Sequence, residues 1–264
     1  MYTMSSSAEP LEAGAPVSYW SGYEVLWGLR PPSRRTALDR RQIVDAAIAL
    51  ADREGLAAVT MRRLARALHT APMSLYRHVP DKDALVAMMI DRAIETRGTP
   101  HDARPGGWRA GLMHVASSTW HLCQVHRWFP EATLARPPIT PSGIAGFEYA
   151  LSLFDGLDLD VGTCARFVST VFATVVSSAL SAFMSEAARS HTRLSAEELF
   201  AEGAPVMARI VASGEFPRVA AFLCGAEHLD AEAQMRASVA LILDGIAARL
   251  ALEASTARRA TAPS

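Results

Sequence analysis

The sequence predicts an all-α protein in two parts, a small helix-turn-helix head followed by a larger helical body. Three observations carry that expectation. Apolar residues recur at three- and four-residue spacing along most of the chain, no convincing stretch alternates with period two, and residues 60–78 hold two short helical patterns joined by a tight turn.

Residues 1–37 read as an N-terminal extension. Up to Pro16 the chain is Ser-, Ala-, Pro- and Glu-containing without periodicity, the composition of a disordered segment. Trp20, Tyr23 and Trp27 then fall at i, i+3 and i+7, so a short helix can present three aromatics on one side, against the body or a partner subunit. Gly22, Gly28 and the Pro31-Pro32 pair leave a mobile tail as the alternative. Arg34 and Arg35 come next, placed where an arm can reach a DNA minor groove or simply be solvated.

Residues 38–98 form the head. Ile43, Ala46, Ala47, Leu50 and Ala51 set the apolar side of a first helix over 39–54, with Gly55 able to stop it. Thr60 caps a second helix with Met61, Leu64, Ala65 and Leu68 on one side and Arg62, Arg63 and Arg66 on the other. After a turn at His69 and Thr70, residues 71–78 read as a third helix with Pro72 in its first turn, where a missing N–H costs nothing. Pro80 ends it, and Asp81 caps a fourth helix from Lys82 to Arg97.

The run DREGLAAVTMRRLARALHTAPMSLYRHVPDKDALV, residues 52–86, resembles the DNA-binding domain of TetR-type transcriptional repressors, with Leu75-Tyr76, His78, Val79 and Lys82 at the family's most characteristic positions. The order and lengths of the later helices are similar to the family's ligand-binding and dimerising domain. One departure sits in the turn, where the family has Gly and this chain has His69, a residue that pays a modest penalty at positive φ.

The resemblance implies roles position by position. Arg62 matches a base-reading position, where a bidentate arginine can recognise guanine, and Arg63 beside it joins the DNA-binding set. Pro72, Met73 and Ser74 open the recognition helix, where small or apolar groups meet thymine methyls. Thr60, Tyr76, His78 and Lys82 match phosphate contacts, which position the domain without reading sequence. Arg77 is at a variable position that can reach a base or a phosphate.

Composition agrees with that division. The 264 residues carry a net charge of −1, which alone argues against nucleic acid. Residues 30–97, however, hold 13 Lys and Arg against 8 Asp and Glu, a surplus of +5 that leaves −6 for the rest. A basic head on an acidic body suits DNA binding joined to a regulatory domain. Cys123, Cys164 and Cys224 are odd in number and widely spaced, and no apolar N-terminal run follows positive charge, so a cytoplasmic, thiol-reduced protein is expected.

Residues 99–105 have the composition of a linker, and the body is expected over 106–254. Residues 108–126 form one helix, with Leu112, Val115, Ala116, Thr119 and Leu122 along its apolar side. Trp128-Phe129-Pro130 breaks it, residues 131–135 add a short turn of helix, and 142–156 form another with Phe147, Leu151 and Phe154. A long helix over 160–189 contains the uncharged run 167–185; seven of those nineteen residues are Ser or Thr, which favours a helix buried against several neighbours over a membrane span. Residues 195–213 carry a capping box from Ser195 to Glu198, 214–225 read as a loop, and Asp230 opens the final helix. On that helix Ala233, Ala237, Ala240, Leu241, Asp244, Ala248 and Leu252 mark one side, and residues 255–264 read as a frayed tail.

Further expectations concern the body. The 160–189 and 230–250 helices of two copies are expected to pair as a four-helix bundle, making a homodimer. The ARPP run at 135–138 resembles the Arg-Pro pair that closes the pocket in tetracycline-binding members, and the alignment puts His114 where those proteins hold a ligand-binding amide. Their metal-ligating His corresponds to Ala132, so a Mg²⁺-chelated tetracycline has no inner ligand. A pocket of His114, Ser118, Trp120 or His121, Arg136, Phe147, Phe172 and Met184 suits a largely apolar, aromatic or polycyclic effector.

No metal site or cofactor is expected. His114 and His121 share a helix face, but His126 does not align with both, and the Cys224–His228 pair straddles a glycine at a loop. GxSxG, P-loop and GxGxxG motifs are missing, so the chain is not expected to be an enzyme. The expected function is a ligand-responsive repressor released from a palindromic double-stranded DNA operator. The alternatives are a helix-turn-helix protein without small-molecule control and a helical enzyme.

Overall fold

A computed structural model describes residues 20–29, 39–98, 106–135, 139–192, 196–225 and 229–260. Among them every regular element is helical, and the chain divides into two compact units. The division is not a single cut: residues 136–145 group with residues 1–98, while 99–135 and 146–264 form the second unit.

In the first unit, α1 (Ser21–Leu26) is followed by α2 (Arg40–Glu54), a 3₁₀ turn (Leu56–Ala58), α3 (Met61–Ala67), α4 (Pro72–Tyr76) and α5 (Lys82–Arg97). The helix starts obey local chemistry. The Asp39 amide donates to Gln42 Oε1, Thr60 Oγ1 accepts from the Arg63 amide at 3.2 Å, and Asp81 Oδ1 accepts from the Ala84 amide at 2.7 Å. Each satisfies an amide that the helix itself leaves without a partner. The core joins Ile43, Ala47 and Leu50 of α2 to Val59, Leu64, Leu75, Val79, Leu85 and Met89, all buried. The recognition helix is shorter than the expected 71–78, because Arg77 and His78 already turn towards Pro80, which disfavours helical backbone at Val79.

The aromatic segment is a helix that packs on α5. Its three aromatics do not share an environment: Tyr23 is buried, whereas Trp20 and Trp27 are about half exposed. Gly22 lets the two backbones meet, since a Cβ there would stand 2.6 Å from the Ala84 Cα. This second neighbour explains why Ala84 to Ile90 are buried without a break, a pattern no helix with one covered face shows. Residues 30–38, with Arg34 and Arg35, lie outside the described residues.

The second unit is built on α6 (Trp108–Val125), α7 (Phe129–Ala135), α8 (Pro141–Ser152, whose first residues belong to the first unit), α9 (Val161–Thr192), α10 (Ala196–Ser213), α11 (Pro217–Gly225) and α12 (Ala231–Ala260). Several sequence expectations are corrected. The break expected after 126 is present, with α6 ending at Val125, but α7 starts at Phe129 and not at 131, with Pro130 in its first turn, where proline gives up an amide that would be unpaired anyway. Pro217 does the same for α11, which occupies most of the expected 214–225 loop. Asp230 Oδ1 caps α12 through the Ala233 amide at 2.7 Å, and the helix continues to Ala260, past Ser255. The Ser195 cap lies outside the described residues.

Burial on the long helices is one-sided. In α9, Val168, Val171, Val175, Val176 and Ala179 are buried where it packs on α6 and α12, while Ser169, Thr170, Ser177 and Ser181 are exposed. Thr170, Thr174 and Ser177 return their hydroxyls to carbonyls one turn back at 2.7–2.9 Å. Within the chain, then, α9 is not covered all round. In α12 the buried side is Met235, Val239, Leu243 and Ile246, and the side expected from sequence faces away, with Leu241 at 74% and Leu252 at 67% exposure.

Candidate nucleic-acid interface and body site

The turn between α3 and α4 sets the reading geometry. The Thr70 amide donates to the Ala65 carbonyl at 2.9 Å and the His69 amide to the Arg66 carbonyl at 3.2 Å, the two bonds of a Schellman ending. Its left-handed position is His69, at φ +51, the single non-glycine residue at positive φ among the described residues. The strain expected from sequence is therefore present. Leu64 below and Leu75 above the turn are both fully buried, so the angle between the two helices is fixed by packing as well as by hydrogen bonds.

On the outer surface of this scaffold stand Arg62 and Arg66 on α3, Pro72, Met73, Tyr76 and Arg77 on and just after α4, and Lys82 in the first turn of α5. Met73 is 71% exposed, far more than packing would leave a methionine that had a core to enter. Ser74 is half-buried. Thr60 uses a lone pair for its cap and keeps its hydroxyl proton for an outside acceptor such as phosphate. Arg63 is tied to Glu54 by an ion pair of 2.5 Å, which joins α3 to the end of α2. His78 is buried, at 8% exposure, and its carbonyl accepts from Arg40 Nε at 3.3 Å.

Two residues of this surface are absent from the site that the sequence suggests. Arg66 lies one turn beyond Arg62 on the same exposed face, a spacing visible in the sequence. Arg40 holds the end of the recognition segment from 38 positions away, and no local pattern signals that contact.

In the body, α6 separates the expected pocket residues by face. His114, Ser118 and His121 fall at i, i+4 and i+7 on the outer side, with both histidines exposed, while Trp120 is buried with Leu112, Ala116 and Cys123. The choice between Trp120 and His121 thus divides by side of the helix. Phe147 on α8 and Phe172 on α9 are half-buried, Met184 is 65% exposed, and Arg136 lies outside the described residues. Ala132 on α7 is 1% exposed.

Two carboxylates towards the ends of α9 are held low. Asp160 caps the helix by accepting from the Thr163 hydroxyl at 2.6 Å and amide at 2.9 Å, bonds that favour its charged form. Glu186 is lowered by hydrogen bonding to Arg127, whose guanidinium lies 4.4 Å from the centre of the Phe183 ring.

With this geometry in place, comparison with known proteins is specific. Residues 43–89 match the family model described as bacterial regulatory proteins, tetR family, and residues 99–250 match the tetracyclin repressor-like C-terminal domain. The HTH-type transcriptional repressor DrrR1 of Streptomyces coeruleorubidus is 36% identical over 202 residues, which are 75% of this chain and 74% of that protein. The structure of apo ActR from Streptomyces coelicolor superposes with a TM-score of 0.68 at 24% identity, covering 83% of this chain and 99% of ActR. ActR in complex with actinorhodin gives 0.67 at the same identity, over 81% and 99%.

Proposed function

Because the chain belongs to the tetR family of bacterial regulatory proteins and is a DNA-binding transcriptional regulator, we propose that it acts as a homodimeric repressor. A small apolar effector releases it from a palindromic operator. The observation that carries this reading is the head. Arg62, Pro72, Met73, Tyr76, Arg77 and Lys82 stand exposed on a short scaffold whose own core is closed, the arrangement of a recognition helix offered to a major groove.

In this reading residues 38–98 bind DNA and residues 106–254 dimerise and bind the effector. Arg62 reads a base edge; Pro72, Met73 and Ser74 meet thymine methyls; Thr60, Tyr76, His78 and Lys82 contact phosphates; Arg77 reaches either. Arg63, committed to Glu54, contributes by holding α3 in place. Two heads are needed for a palindrome, and the open sides of α9 and α12, with Leu241 and Leu252 bare on the latter, supply the bundle through which two copies join. Such a regulator works in the cytoplasm, where the operator is.

The effector is expected in the body, against the His114, Ser118 and His121 face and Phe147. The structure of ActR with actinorhodin supports a small-molecule occupant for this fold. Selection of binding sites from a random duplex library tests the reading: inverted half-sites about one helical turn apart are expected. Failure to enrich any sequence would refute it.

A further inference from the structure

Helix α1 belongs to neither the recognition surface nor the body, yet it is fastened at two distant points of the first unit. At one end Ser21, 1% exposed, donates its hydroxyl to Asp81 Oδ2 at 2.6 Å, the carboxylate whose other oxygen caps α5 directly after the recognition segment. At the other, Trp27 Nε1 donates to the Ile139 carbonyl at 3.0 Å. Between them Gly22 lies against Ala84 too closely for any Cβ, and Tyr23 and Val25 are buried. Residues 139–145 are also held from α5 itself, because the Ser142 amide donates to Asp91 Oδ1 at 2.8 Å. From there α8 runs on to Ser152 and carries Phe147.

We propose that Ser21–Trp27 is a positioning strap, which fixes the N-terminus of α8 and the cap of α5 in one frame so that displacement of either is felt by the other. The chemistry favours a rigid link over a decorative one. Each end is a directional hydrogen bond, one of them to a carboxylate and buried at its donor, and in the middle the Gly22 and Ala84 backbones approach so closely that no Cβ would fit at Gly22. A shift of α8 pulls on Trp27; the strap delivers it to Asp81, one residue beyond the Pro80 that closes the recognition segment.

Hydrogen exchange on the full chain without DNA tests this, so its failure is separable from failure of the DNA-binding reading. Ser21→Ala breaks the strap at Asp81 and should raise amide exchange at the far end, residues 142–145, by about threefold or more. Trp27→Phe, which keeps a ring and removes the donor, should raise exchange at residues 82–86 as well as at 142–145. The double variant should add little to either single change, since one broken end already frees the link. Unchanged exchange in α6 and α12 of the body separates this from general destabilisation. Gly22→Val should mimic both single variants, and if it fails to fold the two hydrogen-bond variants still decide. Effects confined to the neighbourhood of each substitution, or strictly additive effects, would overturn the proposal.

Discussion

The Thr70 amide closes on the Ala65 carbonyl at 2.9 Å, and the chain can make that bond only because His69 between them takes a left-handed backbone at φ +51. A residue with a Cβ pays about 1 kcal/mol for that conformation, part of which glycine would give back as unfolded-state entropy. His69→Gly is therefore expected to raise the stability of the head by about 0.5 kcal/mol, with unchanged DNA selectivity. Chemical denaturation of the two proteins checks it; a loss of stability would mean that the imidazole contributes a contact outweighing the strain.

Arg62 and Lys82 are both exposed cations of the head, but they stand on different elements and should fail differently. If Arg62 reads a base as proposed, Arg62→Ala should cost roughly 1–3 kcal/mol on the preferred duplex while relaxing choice at one base position. Lys82→Ala should weaken all duplexes alike and reduce the salt slope of binding by about one unit. Binding isotherms on selected and scrambled duplexes at several salt concentrations distinguish the two; identical behaviour of both variants would refute the assignment of roles.

The head is legible in the sequence because its signals are local. Thr60, Pro72, Pro80 and Asp81 mark helix ends by chemistry that acts within a few residues, and a missing glycine announces the His69 strain. The body is legible in its run of helices but less so in their faces. On α12 the alanine-rich side reads as the apolar one, yet Met235, Val239, Leu243 and Ile246 fill the core, because larger side chains bury more area per residue. Pro130 and Pro217 fall in stretches that read as interruptions, since a proline serves a helix start as well as a break, and only the residues after it decide between the two. Ser21 with Asp81, and Trp27 with Ile139, are separated by 60 and 112 positions, and nothing local announces them.

The low-lying carboxylates give the body an acid limit. Asp160 is held below the usual carboxylate range by the Thr163 hydroxyl and amide, and Glu186 by the Arg127 guanidinium. A group whose folded pKa lies below its unfolded one contributes stability above the unfolded value and loses it as pH falls through the folded value. Thermal stability should thus be level near neutrality and decline on the acid side of the ordinary carboxylate range. Asp160→Asn should remove part of that decline, and salt should shrink the Glu186 share most, since that pair is exposed. Melting curves across acid pH in low and high salt provide the check; a decline untouched by Asp160→Asn would exclude this carboxylate as its source.

Leu241 exposes 74% of its surface on the side of α12 that faces away from α9's buried valines. If that side is the dimer seam, Leu241→Glu places a charge in each of two facing helices and should shift the protein to monomer at micromolar concentration. Affinity for a palindromic duplex should then fall to that of a single head, while helix content stays. Sedimentation and duplex titration read both, and a variant that remains dimeric would move the seam elsewhere.

Ala132, which the resemblance to tetracycline-binding repressors aligns with their metal-ligating histidine, is 1% exposed on α7, and its methyl side chain offers no metal-ligating atom. Tetracycline with Mg²⁺ should give no thermal shift. On α6, His114, Ser118 and His121 offer hydrogen-bonding groups on one face, and Phe147 and Phe172 offer half-buried rings. That combination suits an aromatic or polycyclic effector with one or two polar groups. In a thermal-shift screen of hydrophobic antibiotics and metabolites, a true effector at about a hundred times its Kd should stabilise the protein by about 2.7 kcal/mol. Phe147→Ala should weaken that hit by more than about tenfold, the scale of one lost aromatic contact, and His114→Ala should weaken it through the lost hydrogen bond. Release from the operator can be no larger than the compound's preference between the bound and released states of the dimer, so each hit must be titrated against the protein–DNA complex. Stabilisation by tetracycline only when Mg²⁺ is present would overturn this account of the body site, and hits that leave DNA binding untouched would separate the site from regulation.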